Sequence, residues 1–120
     1  MEWNKHVPLP PKKVIPDSVI VSTIKEAIYI VTGKEFYLYD VKSRKRNTVI
    51  IRFAFFKLAR THSTYTYDDI GSLFSCKFNH STIIHGCETI DDIEYMGDKD
   101  ERFKTWYNIN DTFKKLIKYK

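Results

Sequence analysis

The run Asn79-His80-Ser81-Thr82-Ile83-Ile84-His85-Gly86-Cys87 gathers an amide, an imidazole and two hydroxyls, then turns apolar. These groups offer hydrogen-bond donors and acceptors, and no nucleophile–base pair stands out among them. Their chemistry is recognition. Asparagine is a favoured N-cap residue, because its side-chain oxygen accepts an orphan backbone N–H of the first turn. A helix opened by Asn79 would expose His80, Ser81 and Thr82 at its tip and turn Ile83, Cys87 and Ile90 inward, with Glu94 facing out again. A polar tip backed by an apolar flank is how a recognition helix enters a major groove. A capped core helix is the alternative.

Charge favours the first reading. The chain has 120 residues and a net charge of +5. Between Lys42 and Arg60 lie seven cations (Lys42, Arg44, Lys45, Arg46, Arg52, Lys57 and Arg60) and no carboxylate. The remainder holds thirteen cations and fifteen anions, so the whole basic excess sits in that segment. Concentrated positive charge is a footprint for a polyanion, with nucleic acid first and a membrane surface second. A solvated basic loop is the alternative. The length suits one domain with its own core. The longest apolar run is too short to cross a bilayer, and Met1 opens no secretory signal. Two cysteines, Cys76 and Cys87, are then expected as reduced thiols, with the protein cytoplasmic and nucleoid-associated.

The elements that must position these residues are helical. Residues 1–16 contain all four prolines and predict an extended arm; 17–120 predict an all-α domain. Asp17 or Ser18 caps a helix to about Val31, with Val21, Ile24, Ile28 and Val31 on one face and Gly33 as its stop. Residues 35–41 read as a helical turn or packed loop. A second helix from Asn47 or Thr48 to about Arg60 or His62 carries Val49, Phe53, Phe56 and Leu58 inward. Thr66 caps a brief third helix with Ile70, Leu73 and Phe74 toward the core, and Cys76-Lys77-Phe78 connects it to the helix from Asn79 to about Tyr95. A last helix from about Lys99 to Tyr119 sets Phe103, Trp106, Tyr107, Phe113 and Ile117 in a stripe. A short helix, a turn and a longer polar-tipped helix over about 66–95 is a helix-turn-helix layout, although the turn lacks its usual glycine.

With these pieces in order, the chain resembles the C-terminal DNA-binding domain of the bacterial replication initiator DnaA, over roughly Val19 to Tyr95. Three matches carry the resemblance: the basic loop Ser43-Arg44-Lys45-Arg46 followed by Arg52 and Leu58-Ala59; Asp69-Ile70-Gly71 with Phe74; and the run from Asn79 to Cys87. It implies sequence-specific binding of double-stranded DNA, in replication initiation or its regulation. Arg44 would enter the minor groove and Arg52 would contact DNA near the start of its helix. His80, Ser81 and Thr82 would supply base and phosphate contacts, with Lys45, Arg46, Lys77, Asn79 and His85 completing the surface. Asn79 stands where the family usually has aspartate, Phe53 follows Arg52 where some members have a polar contact residue, and the connection before Asn79 is a residue longer and lacks paired glycines. These departures bear on the target sequence. A repressor-like DNA binder or an interaction module of a phage or mobile element is the alternative function.

Other chemistries fare worse. There is no phosphate loop of the G-x-x-x-x-G-K-S/T type, so neither nucleotide binding nor ATPase activity is expected, and the chain reads as a free-standing homologue. Cys76, His80, His85 and Cys87 match no common zinc spacing, and His80 and His85 would point about 140° apart on a helix. Asp91, Asp92 and Glu94 read as a solvated face rather than a hydrolase site. No cofactor, metal or catalytic residue is expected. The aromatic stripe of the last helix reads first as core and second as a surface for self-association or a protein partner.

Overall fold

The protein is described by a computed structural model covering residues 14–120. The proline-rich arm expected over 1–16 therefore lies almost wholly outside the described residues. Those residues form five α-helices and two short 3-10 turns, with no strand, in an all-α bundle. The helices are α1 (Asp17–Thr32), α2 (Arg46–His62), α3 (Tyr67–Ser72), α4 (His80–Met96) and α5 (Phe103–Ile117).

α1 buries Ile20, Val21, Ile24, Ala27 and Ile28 at three- and four-residue spacing. It stops where Gly33 turns left-handed at φ 72° and donates its N–H to the Tyr29 carbonyl. The residue at its N-cap position is Pro16, not the expected Asp17 or Ser18. Asp17 serves another element: one carboxylate oxygen accepts the Thr64 backbone N–H at 3.1 Å, fastening the chain that leaves α2.

α2 is central, touching α1, α3, α4, α5 and the 3-10 turn Phe36–Tyr39. A helix surrounded in this way buries nearly all its circumference, which is why one apolar face describes it poorly. Ile50, Ile51, Ala54, Phe55, Phe56, Leu58 and Ala59 are buried, whereas Val49 and Phe53, expected inward, are half-buried. Burial on all sides also overrides the weak helix propensity of its β-branched and aromatic residues.

α4 lies across α2 at a point where Gly86 leaves room for two phenylalanine rings. A Cβ on Gly86 would stand 2.7 Å from Cδ2 of Phe56 and 2.8 Å from Cδ1 of Phe53. α5 starts at Phe103 rather than near Lys99, because Gly97–Lys99 forms a 3-10 turn and Asp100 then holds Arg102 through both backbone and guanidinium. Those bonds from Arg102 depress the Asp100 carboxyl to a pKa of about 2. Trp106, Ile109 and Phe113 are buried in the contact α5 makes with α1 and α2, and the Trp106 indole donates to Glu94 at 3.2 Å. The core thus takes most of the expected aromatic stripe, leaving Tyr107 52% exposed.

α3 and α4 form the helix-turn-helix. Thr66 and Asp69 exchange a capping box, each side chain accepting the other's backbone N–H at 3.2 and 3.0 Å. Ile70 and Phe74 point into the core. The missing turn glycine is explained by Gly71, inside α3, where a Cβ would stand 1.9 Å from the Phe78 carbonyl oxygen. The close approach sits before the turn, and the Phe78 N–H bonds back to the Gly71 carbonyl at 3.1 Å.

These two glycines should differ in cost. Gly71→Ala must displace backbone and is expected to destabilise by about 3 kcal/mol, at the upper end of overpacking effects. Gly86→Ala meets two rings that can shift, and helix propensity favours alanine by about 1 kcal/mol, so the net loss should be about 1 kcal/mol. Urea denaturation of both variants checks the order; equal losses would contradict the tight turn.

Candidate nucleic-acid interface

The tip of α4 is built from its cap outward. Asn79 Oδ1 accepts the Thr82 backbone N–H at 3.0 Å and the Thr82 hydroxyl at 3.1 Å. This single oxygen is thereby used twice, and the amide nitrogen faces away with two free donors. His80 and Ser81 are exposed and Thr82 is half-buried. His80 Nδ1 lies 3.4 Å from a carboxylate oxygen of Asp68 in the first turn of α3. Nothing in sequence spacing shows that Asp68 faces His80.

Lys77 forms the turn before this tip in a left-handed conformation, φ 47°, and its side chain is exposed. A lysine there costs about 1 kcal/mol relative to a right-handed residue, because its Cβ crowds the following carbonyl. His85 is also exposed and meets the Phe53 ring edge-on at 5.7 Å between centroids. Phe53 in turn lines a shallow cleft with Arg44, Arg46, Val49, Ile50 and Arg102. An aromatic at position 53 therefore joins the side of α4 to the basic loop.

The loop 42–45 has no regular structure, and Ser43 shapes it by accepting the Lys45 N–H at 3.1 Å. Lys42, Arg44 and Lys45 are exposed and form no ion pair with a described residue. Arg46, the first residue of α2, pairs with Glu101. The loop's beginning is tied down twice. The Asp40 carboxylate accepts the backbone N–H and the hydroxyl of Ser75, in the helix-turn-helix connection, at 2.8 and 2.6 Å. The Val41 carbonyl accepts Nη1 of Arg52.

Arg52 is the correction to the expected surface. Its residue is only 7% exposed, with the guanidinium 5.2 Å from the centre of the Phe78 ring and Nε buried without a partner. Burial lowers its pKa, a shift opposed by the nearby Cys76 thiol. The expected DNA contact is turned inward because α2 is surrounded, and position 52 lies on the side facing the turn. The other helical cations are also partly engaged. Lys57 pairs with Asp91 at 2.6 Å, and Arg60 covers the Tyr67 ring at 4.7 Å. The acid-free segment thus acquires acids in three dimensions, and its outward charge narrows to the loop.

Among the described residues, no group of three or more His, Cys, Asp or Glu side chains gathers to hold a metal ion. Cys87 is a buried thiol whose pKa is pushed up to about 11, chiefly by desolvation, so it is not a ready thiolate. No described helix is long and apolar enough to cross a membrane.

A family model described as the bacterial dnaA protein helix-turn-helix matches residues 21–90. The chain belongs to this family. It is 34% identical over 83 residues to the chromosomal replication initiator protein DnaA of Bacteroides fragilis (strain YCH46), covering 66% of this chain and 17% of that protein. The chain therefore corresponds to a small part of its curated relative. No solved structure matches.

The turn geometry can be checked without DNA. Lys77→Gly should be neutral to about 1 kcal/mol stabilising, since relief of the left-handed strain offsets the added unfolded-state entropy. Lys77→Val should destabilise by more than about 1 kcal/mol, because a β-branched residue tolerates positive φ worst. Thermal or urea melts that rank glycine below valine would contradict this backbone.

Proposed function

We propose that this domain binds double-stranded DNA sequence-specifically, with the tip of α4 in the major groove and the loop 42–46 at the adjacent minor groove and backbone. The observation that carries this reading is an exposed, capped polar helix tip in a helix-turn-helix whose connection is tethered to a basic loop. The role follows the named relative: replication initiation or its regulation, without catalysis by this domain.

Each exposed group has chemistry suited to a place on the duplex. Arg44 fits a narrow, electronegative minor groove. Lys42, Lys45 and Lys77 suit phosphates, as do the free backbone N–H groups and the Ser81 hydroxyl at the start of α4. Arg46 binds phosphate only in competition with Glu101. His80 and His85 project from α4 as further polar contacts, and Arg52 supports the loop from inside.

The cap also constrains the target. An aspartate at position 79 could cap with one oxygen and accept a base amino group with the other. Asn79 has one oxygen, already engaged by Thr82, and offers only donors outward. It therefore suits the O6 and N7 of guanine or the O4 of thymine rather than the amino group of cytosine.

A salt series decides the electrostatic part. The three outward lysines on phosphate give a slope of log K against log salt of roughly −3. Arg44→Ala and His80→Ala should each weaken specific binding by about 1–3 kcal/mol. Selection from random duplexes should enrich a site with guanine or thymine opposite residue 79. In the same selection Asn79→Asp, which keeps the cap, should shift that position toward cytosine. Salt-insensitive binding with no enriched sequence would sink the DNA reading; an identical preference in both proteins would sink only the donor argument.

A further inference from the structure

We propose that Arg52 is a positioning residue that locks the basic loop to the helix-turn-helix, so that the minor-groove arm and the recognition helix are presented in fixed relation. The proposal rests on the DNA-binding reading for its consequence, but its structural half stands without DNA.

A guanidinium removed from water with no carboxylate beside it is costly, and such groups persist where their geometry is used. Arg52 touches two segments distant in sequence. Nη1 holds the Val41 carbonyl at the start of the basic loop, and the guanidinium carbon sits over the ring of Phe78, the residue before the Asn79 cap, 5.2 Å from its centre. One side chain on α2 therefore bridges the beginning of the loop and the end of the turn. Asp40 makes the same connection from the other direction through Ser75. Adjacent residues 40 and 41 are each fastened, one to the turn and one to the helix that packs against it. Arginine suits this task where lysine does not, because a planar fork can donate at its edge while its face covers a ring.

Arg52→Met separates the possibilities, since an unbranched apolar side chain still covers Phe78 and removes the buried charge. Its melting temperature is expected to equal or exceed that of wild type. The hydrogen-bonded amides that bracket the loop, those of Asp40 and Lys45, should exchange with solvent at least tenfold faster without DNA, while those of α4 stay protected. Specific DNA affinity should fall by about ten- to a hundredfold. In the Arg44→Ala background, Arg52→Met should have little further effect, because Arg52 acts through the placement of Arg44. Arg52→Lys should recover the charge but not the loop protection.

Independent, multiplying losses for Arg44→Ala and Arg52→Met, with unchanged amide exchange, would overturn the proposal and mark Arg52 as a direct phosphate contact. Wild-type affinity and wild-type exchange in Arg52→Met would overturn it outright. If Arg52→Met does not fold, Asp40→Ala, which removes both bonds to Ser75, tests the second tether with the same exchange readout at Lys45, and unchanged exchange there counts against the lock. Faster loop exchange in a protein whose wild type shows no DNA binding would support the lock and discard the DNA reading.

Discussion

The rings around Phe74 are the contact through which the domain's parts are set. Phe74 packs edge-on against Phe36, Phe55, Phe56 and Phe78, with centroids 5.2 to 5.5 Å apart. Those partners come from the 3-10 turn, from α2 and from the residue preceding the Asn79 cap of α4. Edge-to-face packing is directional as well as apolar, so the cluster fixes angles between elements rather than merely excluding water. With Phe78 held there, the Gly71 close approach and the Asn79 cap follow within a few residues, and α4 leaves the turn in one direction. The Arg52 guanidinium lies on the outer member of this cluster, extending the fixed geometry to the basic loop.

Electrostatics are arranged around that frame. The chain has few acids where DNA would lie, yet those it has are placed to limit the basic surface. Glu101 meets Arg46, Asp91 meets Lys57 and Asp68 faces His80. Exposed pairs of this kind contribute little to stability. Their effect is on what the surface offers: outward charge concentrates at Lys42, Arg44, Lys45 and Lys77 instead of spreading along α2. In the proposed complex, a narrow positive site beside the polar tip of α4 favours register over indiscriminate adhesion to phosphate.

Much of this could be read from residue order. The extent of α4, the caps at Thr66 and Asn79 and the stop at Gly33 agree with local rules, because capping and left-handed stops are decided within four or five residues. The family could be read too, since its matching pieces are short and contiguous. Local rules failed where several elements converge. The expected inward face of α2 included the half-buried Val49 and Phe53 and omitted the buried Ile51 and Phe55, since a helix contacted on many sides has no single apolar stripe. Asp17 has the chemistry of a cap but serves Thr64, forty-seven residues away.

The sequence by itself determined the helical composition, the polar tip from Asn79 to Thr82 and the location of the basic excess. Side-chain type and short-range backbone chemistry suffice for each. The tertiary structure decided which cations face outward, because burial and pairing depend on partners such as Val41, Phe78 and Glu101 that spacing does not reveal. It also turned Arg52 inward onto the Val41 carbonyl and the Phe78 ring, and let Gly71 supply the freedom the turn itself lacks. A charge count reads residues one at a time, whereas a surface is what remains after every element has claimed its contacts.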